Sequence, residues 1–110
     1  MNNKYSIRAR HSGLLIKLTC LNIQELINTV TQQLTTKKRD PYAPSKVIIF
    51  EKNINDIGVR RVCSIEYSGG KMYFTDFSIE PEKRKFVAEL SLRNIPNFVS
   101  ALLTEKFSLC

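Results

Sequence analysis

The chain has 110 residues, with 17 Lys and Arg against 10 Asp and Glu, a formal charge of +7 and a pI near 9.5. That length holds one hydrophobic core and not two, so residues 1–110 read as a single domain, and a 43% apolar share excludes wholesale disorder. The positive balance suits a polyanionic partner, provided the charges share a face.

Tyr5, Ile7 and Ala9 alternate with Ser6, Arg8 and Arg10, the period of a half-buried strand. His11-Ser12-Gly13 makes a turn, and Leu14, Ile16, Leu18 and Cys20 continue the alternation, which predicts a first hairpin. Asn22 then starts a helix: its side chain caps free amides, Glu25 bonds back, and Leu21 staples against Leu26. Ile23, Leu26, Ile27, Val30 and Leu34 form its apolar stripe. Lys37-Lys38-Arg39 followed by Pro41 and Pro44 marks an exposed basic loop. Val47 to Phe50 suits a strand buried on both faces, and residues 53–58 read as loop.

From Gly58 to Leu92 the sequence predicts three successive antiparallel strands. The adjacent glycines of Ser68-Gly69-Gly70-Lys71 join Val59–Tyr67 to Met72–Ile79 by a tight hairpin, and Glu80-Pro81-Glu82-Lys83 turns into Lys85–Leu92. Val59, Cys63, Ile65 and Tyr67 share one face, interrupted by Arg61; Phe86, Ala88, Leu90 and Leu92 share another. Asn94 to Lys106 has helical spacing, with Ile95, Phe98, Val99, Leu102 and Leu103 on one stripe and Pro96 in the first turn, where its missing donor costs nothing. The expected fold is therefore α+β, an antiparallel sheet of five or six strands with two helices on one face, in the order ββα-ββββα. Each strand has one strong and one mixed face, as a sheet covered on one side requires.

Two junctions share a plan. Leu18-Thr19-Cys20-Leu21 runs into Asn22-Ile23-Gln24-Glu25-Leu26-Ile27, and Leu90-Ser91-Leu92 runs, after Arg93, into Asn94-Ile95-Pro96-Asn97-Phe98-Val99. Any two strand-to-helix junctions share capping residues, so the echo is also what capping alone produces. The second half, Lys46 to Lys106, has four strands closed by one helix with basic and aromatic residues on the strands, and in that element order it resembles the repeating unit of the Whirly and PUR-repeat single-strand-binding proteins. The resemblance implies a single-stranded nucleic-acid ligand but transfers no individual binding residue, and the first half departs from it with two strands where a repeat has four.

Single-strand binding needs cations for phosphates and aromatic faces for bases. The candidate binding residues are Arg8, Arg10 and Lys17 on the first hairpin, Lys37, Lys38 and Arg39 in the loop, Arg60 and Arg61 on the central strand, and the aromatics Tyr73 and Phe77. Lys83, Arg84 and Lys85 are further cations at a turn, read equally well as solvated, while Phe74 and Phe86 are expected in the core. Lys71 to Phe77 lacks the glycine and aromatic offsets of the RNA-recognition signature.

No catalytic constellation is legible. His11 is the single histidine, the carboxylates are scattered, and Gly69-Gly70 is a hairpin with no phosphate-loop lysine after it. Cys20, Cys63 and Cys110, odd in number and widely spaced, imply neither a disulfide framework nor a metal site. Reduced thiols, a run of Gly13 to Ile16 too short for a signal core, and no spanning segment point to an intracellular, cytoplasmic location. The expectation is a non-enzymatic binder of DNA or RNA, without cofactor or metal, backbone-directed or single-strand-directed, working as a homodimer or larger assembly. The competing expectation is a small protein-interaction module, an adaptor, inhibitor or assembly subunit, that binds an acidic partner.

Overall fold

The computed structural model describes residues 4–11, 14–35, 45–52, 60–79 and 82–107. The expected loop with Lys37, Lys38 and Arg39, the loop over 53–58, the turn residues Ser12, Gly13, Glu80 and Pro81, and Cys110 lie outside the described residues. N-terminal alternation produces a hairpin of β1 (Lys4–His11) and β2 (Leu14–Cys20), in register from Tyr5 opposite Cys20 to His11 opposite Leu14. Helix α1 (Ile23–Thr35) follows, with Asn22 Oδ1 accepting the Glu25 N–H at 2.9 Å. Glu25 reaches back to the Leu21 N–H at 2.8 Å, so the reciprocal cap closes one residue earlier than expected. Leu21 itself stays 61% exposed and does not act as a staple.

The remaining strands are β3 (Ser45–Lys52), β4 (Arg60–Ser68), β5 (Lys71–Asp76) and β6 (Arg84–Glu89). A 3-10 turn at Leu92–Asn94 leads into helix α2 (Ile95–Phe107). All six strands pair antiparallel in the order β2-β1-β3-β4-β5-β6, an α+β fold with two helices. Both helices lie on the same side. Ile7, Ala9, Val47, Ile49, Cys63, Ile65 and Met72 face them and join Leu26, Val30, Leu34, Ile95, Val99 and Leu103 in one core. Tyr5 stacks edge-on against Phe107 at 5.0 Å and closes one end of it. Burial pushes the Cys63 thiol up to about 12, so this cysteine is an inert packing residue. No described helix is long and apolar enough to cross a membrane.

Strict alternation fails at two places, and both failures carry consequences. In β4 the partner of Ile49 is Cys63 but the partner of Phe50 is Arg61, so Val62 is an extra residue and the strand bulges. The bulge takes Arg61 off the apolar face of β4 and sets it opposite Phe50. In β6, Met72 pairs with Ala88 and Tyr73 with Phe86, which makes Val87 the extra residue. Phe86 is thereby turned away from Ala88 and the core, and it stands 58% exposed.

Candidate nucleic-acid interface

The sheet face opposite the helices is covered by no described helix, and register lays its residues out in cross-strand rows. One row runs Lys17, Arg8, Ile48, Ser64, Thr75, Arg84 from β2 to β6. A second runs Lys46, Glu66, Tyr73, Phe86, and a third Thr19, Ser6, Phe50, Arg61. With about 4.8 Å between strands, the first row places Lys17 and Arg84 about 24 Å apart.

Three arginines set their guanidinium carbons over aromatic rings along this surface. Arg8 sits over Phe50 at 4.6 Å, Arg61 over Phe77 at 3.9 Å and Arg84 over Tyr73 at 3.7 Å. Tyr73 also meets Phe86 edge-on at 5.8 Å, so the Arg84 stack continues into an exposed ring. Each stack contributes on the order of 0.5–1 kcal/mol at an exposed site, which biases the guanidinium toward the ring. Two of the arginines are also held by carboxylates, Arg61 by Glu82 at 3.2 Å and Arg84 by Glu66 at 3.0 Å. Arg8, Lys17, Lys46 and Lys71 have no ion pair among the described residues.

Of the residues singled out from sequence, Arg8, Lys17, Arg61, Tyr73 and Phe77 come together here. Phe77 does so from the turn after β5, its N–H bonded to the Val62 carbonyl at 2.9 Å. Arg10 lies in β1, paired in register with Leu15. Arg60 does not join them. It pairs with Glu51 in register and by a 3.0 Å ion pair, and Glu51 lies opposite the buried Tyr5, so Arg60 belongs to the rim of the helix-covered side. Lys83, Arg84 and Lys85 divide in the same way: Arg84 takes the open face while Lys85 stands opposite Phe74 on the other.

Sequence reasoning missed Phe50, Lys46, Phe86 and Lys71, the last at the start of β5 in the same alternation as Tyr73. Phe50 and Lys46 were hidden because the run Val47-Ile48-Ile49-Phe50 is apolar throughout; only pairing shows that Val47 and Ile49 face the core while Ile48 and Phe50 face away. The period-2 expectation of Phe86 in the core fails because the Val87 bulge breaks the alternation. Among the described residues no group of His, Cys, Asp and Glu could hold a metal ion. No protein family, curated protein or solved structure matches the chain.

Proposed function

We propose that the protein is a non-enzymatic nucleic-acid-binding module that uses the open face of its sheet, with single strands as the ligand. The observation that carries this reading is the set of three arginine-on-aromatic stacks interleaved, on one face that no described helix covers, with cations that have no ion pair among the described residues. Guanidinium groups held over rings offer a cationic surface to an unstacked base, and Phe86 offers an exposed ring. Arg8, Lys17, Lys46 and Lys71 take the phosphates. A duplex keeps its bases stacked inside, so the aromatic part of the surface contributes only with a single strand. One module offers a small surface, and a second copy would extend it.

Fluorescence anisotropy with single-stranded DNA and RNA 20-mers at low salt tests the proposal. The triple variant Arg8→Ala, Arg61→Ala, Arg84→Ala is expected to bind roughly 10- to 100-fold more weakly. The three lost stacks should cost about 1.5–3 kcal/mol of stability, so the comparison is made well below the variant's unfolding temperature, with its fold checked by circular dichroism. Absence of binding to any oligonucleotide, or a variant that binds like the parent, rejects the reading.

A further inference from the structure

The other side of the sheet carries a second, unrelated feature. Two helices packed about 8–10 Å apart cover less width than six strands spaced by about 4.8 Å. Helix α1 packs on β1, β2, β3 and α2, so the shortfall falls on β5 and β6. A groove of about 530 Å³ opens there, within the roughly 300–1,000 Å³ of small-molecule sites. Its apolar floor is Phe74 of β5, Ile79 and Leu102 of α2.

The β6 bulge accounts for both the space and the charge of this groove. Unbroken alternation from Ala88 would set Phe86 on the helix side beside this floor; the extra Val87 sends that ring to the open face, and Lys85 stands opposite Phe74 instead. Lys106 at the groove's end has no free proton to offer. Its ammonium donates to Asp76 Oδ1 at 3.0 Å, to Asp76 Oδ2 at 3.1 Å and to Ser78 Oγ at 2.9 Å. Lys83 and Lys85 have no ion pair among the described residues, and Glu105 is the remaining charge on the lining. The groove is therefore apolar at its floor and carries one uncompensated positive charge at its rim.

The geometry points to a binding site for a small organic monoanion with an extended apolar body, of the medium-chain carboxylate class. The tail lies on Phe74, Ile79 and Leu102, and the head is held between Lys83 and Lys85. A dianion is disfavoured by Glu105 and a cation by both lysines. This site is independent of the open face and stands or falls without it.

Decanoate, decylammonium and acetate, each below micelle formation, are titrated into the uniformly 15N-labelled 110-residue chain and amide shifts are followed. Decanoate is expected to saturate shifts at Phe74, Lys85 and Leu102 with an affinity at least about tenfold above decylammonium or acetate. The double variant Lys83→Gln, Lys85→Gln alters two exposed side chains, so it keeps the fold, which its amide spectrum verifies. It should weaken decanoate about three- to tenfold and bind decylammonium as well as or better than the parent does. Decanoate shifts that never saturate, decylammonium binding that equals decanoate, or a double variant with unchanged decanoate affinity would overturn the assignment.

Discussion

Asp76 ties the last residue of β5 to the last turn of α2, and its ionisation shows what that tie contributes. Burial alone raises its pKa, but the Ser78 hydroxyl at 2.6 Å, the Ser78 amide at 2.9 Å and the Lys106 ammonium outweigh it, and the net displacement is downward from 3.8. A carboxyl depressed in the folded state binds its proton less readily than in the unfolded chain. Its stabilisation is therefore complete above the unfolded pKa near 4 and is lost as pH falls through the folded value. Asp76→Asn should cost about 1–2 kcal/mol at pH 7, since Lys106 keeps partial burial without a counter-charge. Urea unfolding of parent and variant at pH 7 and at pH 3 checks this: the gap between them should narrow in acid. An unchanged gap would mean that the carboxylate's charge contributes nothing and only its shape matters.

At the scale of elements the β4–β5 hairpin was the firmest inference from sequence, and its turn allows a clean test. Gly69 and Gly70 have φ of +59° and +79°, the doubly left-handed pair that a two-residue loop between twisted strands demands. A Cβ added at either glycine meets nothing within 4 Å, so the cost of a substitution is backbone strain alone. Gly70→Ala should lose about 1–2 kcal/mol and Gly70→Asn distinctly less, because asparagine tolerates this region; urea midpoints measure both. Equal loss for the two would point away from backbone strain as the cause. The hairpin was legible because its signal is local, as was the cap of α1, where Asn22 and Glu25 are three residues apart. The two bulges were not legible. Whether Val62 or Val87 is the unpaired residue depends on β3 and β5 across the sheet, and a period-2 reading of one strand cannot contain that. Because the bulges decide where Arg61 and Phe86 point, sequence found half of the open-face surface and assigned part of the remainder to the core. Phe50 under Arg8 joins residues 42 positions apart on two strands, which no motif spacing encodes.

For the whole molecule the question is how much of a charge of +7 a nucleic acid would feel. Arg61 and Arg84 must release Glu82 and Glu66 to take a phosphate, so the freed carboxylate recovers part of the counterion release. Arg8, Lys17, Lys46 and Lys71 form no ion pair among the described residues, although register sets Glu66 opposite Lys46 and Glu89 opposite Lys71. If these four set the electrostatics, the log-log slope of single-strand affinity against salt is about −3, or roughly a 50-fold loss between 50 and 200 mM salt. Were all 17 basic residues engaged, the slope would be about −12. Glu66→Gln separates the contributions: it leaves Arg84 stacked on Tyr73 at 3.7 Å but frees its charge, so affinity at low salt should rise and the slope should steepen by about 0.7. A slope shallower than about −1 would place the positive charge away from the contact. A Glu66→Gln variant with lower affinity would mean that the carboxylate, by fixing Arg84 over Tyr73, is needed to hold the stacking surface in place, and that orientation outweighs charge at that end of the sheet.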